Sequence, residues 1–282
     1  MSEKRKPNFV GIGVPRGGTT WLHEFVNSHP NAYTSRLRKE VHFFDRHYNR
    51  GSGWYMKFFA DALPSNSALG EFTPHYIYSP DCAQRIYDFG IKRVLTTLRD
   101  PVDRTWSNYI YKRRQDGYQG SLRQFLVDYP EMIPWSSYAD HINHWLELFG
   151  DEFTVLIYES ISRDQNLLCE QLGSALDLDP EKFSQESLER VNSSFIPKHG
   201  RIFNYTLRLN KWLVSNDLDR VAVTLKRLPG VMSFVRSPDT SKEISIKPTG
   251  EDIDYLSELF YPSVISLQKL IDVEIKMWKS LG

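Results

Sequence analysis

Apolar runs of five or six residues alternate with stretches of helical spacing over most of the chain. Phe9 to Val14 is the first such run, closed by a glycine-rich turn from Pro15 to Thr20. A run of that length and makeup is expected of a parallel strand buried on both faces. From Thr19 to Asn27 the residues Trp21, Leu22, Phe25 and Val26 share one helical face, and His29-Pro30-Asn31 closes the helix. Further strands are expected at Ala68 to Phe72, Arg93 to Leu98 and Phe153 to Tyr158. Between them lie helical patterns around Pro80 to Asp88, Pro101 to Arg114, Ser137 to Phe149 and Arg163 to Leu176. Strands alternating with helices predict an α/β fold, a central and mainly parallel sheet flanked by helices, with right-handed crossovers.

The remainder reads as a helical C-terminal cap on a single domain spanning 1–282. Residues 203–236 carry Arg208, Lys211, Arg220, Lys226, Arg227 and Arg236 among Leu, Val and Trp, the pattern of one or two basic amphipathic helices. Such a segment serves as a solvated cap, a substrate-side lid or a membrane-surface contact. Ser237 to Gly250 is polar and loop-like, and helical periodicity returns from Asp252 to Trp278.

Composition narrows the function. Lys plus Arg and Asp plus Glu both number 35, so the chain lacks the basic excess of a nucleic-acid binder. Cys82 and Cys169 are the only cysteines, too few for a disulfide framework or a four-thiolate zinc site. They read as free thiols in a reducing compartment. The amino terminus has no signal-like apolar segment, and no run of about 18 apolar residues occurs, so the expected location is cytoplasmic. His141 and His144 are three apart on a helix, but no third ligand stands near them to make a zinc site. No metal is expected.

The strongest chemical signal is Gly13-Val14-Pro15-Arg16-Gly17-Gly18-Thr19-Thr20, between a strand and a helix. Glycines there let backbone amides turn inward, and a helix N-terminus adds unpaired N–H groups and a positive dipole end. Against the phosphate loop of nucleoside triphosphatases, Gly13, Gly18 and Thr20 fit. Thr19, however, occupies the lysine position, and the cation sits three places upstream at Arg16. This favours an anchor for one phosphate over a Mg-triphosphate site.

Gly13 to Leu22 resembles the 5′-phosphosulfate loop of the sulfotransferases that use 3′-phosphoadenosine 5′-phosphosulfate (PAPS), with Arg16 replacing their usual lysine. The resemblance implies a P-loop-like core. It gives Arg16 the stabilisation of charge on the leaving oxygen, and cofactor contacts to Arg16, Gly17, Gly18, Thr19, Thr20 and Trp21. Arg99-Asp100-Pro101, with Arg104, Ser107 and Tyr109, resembles the 3′-phosphate element of the same family, giving Arg99 and Ser107 to that phosphate. Phe195 to Arg201 is similar to the loop that closes over the nucleotide, so Lys198 and Arg201 join the cofactor contacts. Lys39-Glu40-Val41-His42-Phe43-Phe44-Asp45 resembles an element of the glycan sulfotransferase branch, implying Glu40 as general base and His42 as the alternative. Glu71 and Tyr76, in a stretch similar to that branch's Glu-Lys-Thr-Pro element, are expected to line the acceptor pocket. Phe72 replaces the lysine of that element, which argues against a polyanionic acceptor. The resemblance spans Phe9 to about Gly200.

The expected activity is therefore sulfuryl transfer from PAPS, leaving 3′-phosphoadenosine 5′-phosphate (PAP), to a hydroxyl of a sugar, lipid or small molecule. Two rivals stand beside it: a small-molecule kinase with a phosphate loop, and a PAP-binding module without turnover. Oligomeric state is not legible.

Overall fold

The computed structural model describes residues 6–184, 195–197, 209, 213, 215–227, 236–238, 247–273 and 275–281. Five parallel strands form the centre: β1 (Phe9–Gly13), β2 (Ala32–Thr34), β3 (Ala68–Phe72), β4 (Arg93–Leu98) and β5 (Phe153–Ile157), in the order β2-β3-β1-β4-β5. Four of the five coincide with the apolar runs. β2 has only three residues and offers no run long enough to read.

Helices follow where the sequence supplies starts and stops. α1 (Thr19–Val26) leaves the glycine turn directly. α2 (Pro80–Phe89) begins at Ser79, whose hydroxyl accepts from the Cys82 amide, and has Pro80 in its first turn. α3 (Pro101–Asp116) begins the same way, with Asp100 accepting from the Val102 amide. A short side-chain acceptor followed by proline satisfies an amide that the first turn leaves unpaired. α4 (Tyr138–Phe149) and α5 (Gln165–Leu176) complete the layers. One face of the sheet packs Val10, Ile12, Val94 and Leu98 against α2 and α4, with Ile86, Ile142 and Trp145 fully buried. The opposite face packs Phe9, Phe72 and Leu156 against α1 and α5, through Phe25, Leu168 and Leu172. Each such side chain contributes about 1.5–3 kcal/mol by leaving water.

Of the basic stretch, α6 (Asp219–Arg227) is described, and its docking is acidic. Asp219 receives a two-pronged contact from Arg38, both side chains being nearly inaccessible. Asp217 receives Arg50 and the Trp54 indole N–H. The basic residues Arg208 and Lys211 lie outside the described residues. Arg236–Pro238 pairs antiparallel with Phe195–Pro197 in a two-stranded ribbon, where loops were expected at 195–197 and from Ser237, and the end of the basic helical stretch at Arg236. α7 (Gly250–Gln268) opens with a capping box between Thr249 and Asp252 and packs on α3 and α4. The expected helix to Trp278 stops at Gln268. Ile271, Ile275 and Trp278 keep helical spacing, yet the chain buries them while turning back over the sheet. The Trp278 indole donates to Glu159 and the Lys279 amide to Asp100, tying this turn to the exits of β4 and β5. Both cysteines are free.

Candidate active site

The chain leaves β1 toward β2 and leaves β4 toward β5, on opposite sides of the sheet. A crevice therefore opens where β1 and β4 lie side by side, at their carboxyl ends, the usual ligand position in open α/β sheets. The glycine turn and Arg99 both emerge there.

Backbone bonds shape the turn: the Val14 amide donates to the Thr97 carbonyl and the Gly17 amide to the Val14 carbonyl, at 3.0 and 2.9 Å. A Cβ at Gly17 would lie 2.7 Å from the Thr97 carbonyl oxygen. Gly18 has φ 87°, and a Cβ there would strike the Tyr158 ring at 2.7 Å. Only glycine meets both demands. The first helical bond of α1 runs from the Leu22 amide to Gly18, so the amides before it have no partner within the helix.

Three cations face this turn. Arg16, itself at φ 69°, lies over the Tyr111 ring at 4.5 Å and donates to the Ser107 carbonyl at 3.4 Å. Desolvation in the crevice, then the charges of Arg99, Arg104 and Arg114, lower its pKa from the ordinary arginine value. Arg99 donates to the Arg16 carbonyl at 3.3 Å and stacks on Tyr158 at 5.1 Å, while its Nε is buried without a partner. Arg16, Arg99 and Ser107 thus meet at one place. The third cation is Lys39, the first residue of the Glu40 motif: its Nζ lies 2.8 Å from Thr20 Oγ1, 3.5 Å from Thr19 Oγ1 and 3.3 Å from Glu40. Desolvation lowers its pKa against the pull of Glu40. Beneath the turn, the fully buried Arg104 donates to the Pro15 carbonyl, Ser136 and Tyr78. Arg16, Arg99 and Lys39 bring positive charge to the turn, and Thr19, Thr20 and Ser107 bring hydroxyls. With an orphaned guanidinium N–H among them, the set fits phosphate oxyanions. Trp21 is half-buried, edge-on to Tyr158. Lys198 and Arg201 lie outside the described residues.

Glu40 lies beside this pocket, sharing Lys39 with it. Its second oxygen is 3.5 Å from His42 Nε2, and His42 Nδ1 is 2.8 Å from Asp45. Burial would raise the Glu40 pKa, but the His42 hydrogen bond and the Lys39 charge outweigh it and hold the group at about 2. Burial likewise opposes a charged His42, yet Asp45 and Glu40 raise it to about 9. At neutral pH an imidazolium therefore stands between two carboxylates. His42 has φ 55°; with Arg16 it is one of four non-glycine residues at positive φ among the described residues, a strain tolerated where surroundings enforce it.

Glu71 and Tyr76 do not line a pocket: neither has accessible surface. The Glu71 carboxylate accepts from the Val41 amide, Thr73 and Tyr76 at 3.1, 2.5 and 2.8 Å and from Tyr55 at 3.4 Å. Thr73 in turn accepts from the His42 amide. This buried carboxylate holds the Glu40–His42 segment from below, and burial pushes its pKa up to about 7 despite those donors. Phe72 points to the other face of the sheet from Glu71, edge-on to Phe9 and under Gly11. Lys39, Asp45 and Arg104 stood inside the motifs already, but only folding shows what they touch.

A family profile described as "Sulfotransferase domain" matches residues 6–206. Human heparan sulfate glucosamine 3-O-sulfotransferase 6 is 32% identical over 155 residues, covering 52% of this chain and 44% of that protein. Mouse bifunctional heparan sulfate N-deacetylase/N-sulfotransferase 3 is 33% identical over 178 residues, 55% of this chain and 20% of that protein. The chain thus spans less than half the length of these relatives. A crystal structure of a sulfotransferase from Alicyclobacillus acidocaldarius superposes with a TM-score of 0.67 at 24% identity, covering 98% of this chain and 99% of that one, a likeness of fold. Among the described residues, no helix is long and apolar enough to cross a membrane.

Proposed function

The chain belongs to the sulfotransferase family, and from that premise we propose that it transfers a sulfuryl group from PAPS to an acceptor hydroxyl. The observation that carries this reading is the meeting of Arg16, Arg99 and Ser107 at the glycine turn, with the Arg99 Nε left without a partner. When bound, the donor supplies sulfur activated by a phosphate leaving group. The free amides at the start of α1, Thr19, Thr20 and Lys39 hold the 5′ end of the nucleotide, and Trp21 flanks it. Arg99 and Ser107 hold the 3′-phosphate, with Lys198 and Arg201 proposed to close over it. Arg16 balances the charge that grows on the leaving oxygen; its guanidinium spreads that charge over several donors where lysine would offer a point.

Glu40 is proposed as the base that takes the acceptor proton. An alcohol holds its proton until bond formation is under way, so a carboxylate of low pKa acts late, as the oxygen becomes acidic. His42, fixed by Asp45, keeps Glu40 ionised and aimed. The acceptor is proposed as a hydroxyl carrier (a sugar, lipid or small molecule); Phe72, turned into the core of the opposite face, does not discriminate among them. A cytoplasmic setting and a single-domain organisation belong to the same reading.

One observation favours a second reading, phosphoryl transfer from ATP: the Lys39 ammonium reaches Thr19 and Thr20, near the position a phosphate-loop lysine would occupy. Incubation with an acceptor panel and either labelled PAPS or Mg-ATP separates the two. Sulfated product lost in Glu40→Gln, with PAP affinity kept, is the expected result. Phosphorylated product alone would replace the proposal by the second reading.

A further inference from the structure

Beside the phosphate-side pocket stands a group of a different chemical kind. Glu40, His42 and His75 each bring one ligand-type atom to within 4.8 Å of the others, the carboxylate-and-imidazole set that zinc-class ions prefer. Two further observations point to a ligand. His75 Nδ1 is buried and has no hydrogen-bond partner. His42 also has its Nδ1 on Asp45 at 2.8 Å, leaving Nε2 facing Glu40. A carboxylate on the far nitrogen of a histidine is the outer-shell arrangement that fixes ring orientation and strengthens a metal-binding imidazole, which an ion generates here by displacing the Nε2 proton to solvent. Lys39 occupies one oxygen of Glu40, and the other meets the His42 imidazole.

We propose that Glu40, His42 and His75 bind one divalent ion of the zinc class, with Asp45 as the outer-shell partner of His42 and a fourth position open. Tetrahedral ligands at about 2.0–2.2 Å from zinc stand roughly 3.4 Å apart. The cluster must therefore contract by about an ångström, a shift within reach of side-chain rotation. The His75 ring stands edge-on to Trp135 at 5.7 Å and 6.0 Å from the His42 ring. On the proposed role of Glu40 as base, an ion held there would withdraw the same carboxylate from proton transfer.

The test uses the full chain, stripped with chelator and titrated with zinc by calorimetry and with cobalt(II) by visible absorption. One equivalent with the intense bands of a four-coordinate cobalt site is expected. Asp45→Asn should weaken binding by about 10- to 100-fold, and His75→Ala at least as much. His144→Ala, outside the cluster, should change nothing. Should His75→Ala fail to give a native circular dichroism spectrum, His75→Asn serves in its place. Absence of a one-equivalent event, or affinity unchanged in the His75 variants, overturns the site. Neither readout depends on sulfuryl transfer, so the outcome stands apart from the proposed activity.

Discussion

Replacing Glu71 by glutamine tests whether the segment bearing Glu40 and His42 rests on a buried, titrating carboxyl. Glu71 has no accessible surface and takes four donors, of which Tyr55 at 3.4 Å is the longest. That hydroxyl is free to turn and accept when Glu71 is protonated. Burial raises the pKa from 4.5 to about 7. The folded state then binds this proton more tightly than the unfolded state does. Its stabilising share is complete below about 4.5 and is lost as pH climbs through about 7. At about 1.36 kcal/mol per pH unit, the loss over that interval is on the order of 3 kcal/mol. Glutamine stays neutral throughout and lacks this dependence. Its amide group faces donors with donors, so the variant should start about 1–3 kcal/mol weaker in acid. Urea unfolding at about pH 5 and about pH 8 should show that deficit shrinking or reversing as pH rises. A deficit equal at both values would mean that Glu71 does not titrate in this range, and the reasoning fails.

Gly18→Ala should weaken PAP binding at least ~10-fold: the left-handed backbone costs a side chain about 1–2 kcal/mol, and the new Cβ meets the Tyr158 ring at 2.7 Å; calorimetry checks it, and unaltered affinity would clear the turn of that demand. Lys39→Met removes a charge that helps hold Glu40 near 2, so the acidic limb of kcat/KM should move to higher pH as Glu40 returns toward its ordinary 4.5; an unmoved limb would separate Lys39 from the base. In Arg104→Met the Pro15 carbonyl and two hydroxyls lose their donor, and a loss of about 1–3 kcal/mol in urea unfolding is expected; no loss would show that the turn stands without Arg104.

Much of this architecture is visible in the chain because local chemistry and tertiary packing agree. β1, β3, β4 and β5 are buried on both faces and are therefore nearly continuous apolar runs. Ser79-Pro80 and Asp100-Pro101 start helices for a reason that is entirely local. The glycine turn is legible for the same reason, since Gly17 and Gly18 satisfy a backbone requirement. What needs distant partners was misplaced. Lys39 has no role in the sequence beyond its place in the Glu40 motif until the chain carries it to Thr20, 19 positions away. Glu71 sits beside acceptor-like motifs, but strand alternation turns it inward, where three hydroxyls and an amide make a buried carboxylate tolerable. Ile271, Ile275 and Trp278 imitate a helix because burying one face needs only periodic apolar residues, whatever path the backbone takes between them.

Calorimetric titration of PAP against adenosine 5′-monophosphate, in the native chain and in Arg99→Ala, addresses the two-pocket arrangement most directly. These ligands differ only in the 3′-phosphate. PAP should bind at least ~10-fold more tightly to the native chain, and the variant should bind both alike. Equal affinities in the native chain, or a preference that survives removal of the Arg99 guanidinium, would contradict a 3′-phosphate pocket at the exit of β4.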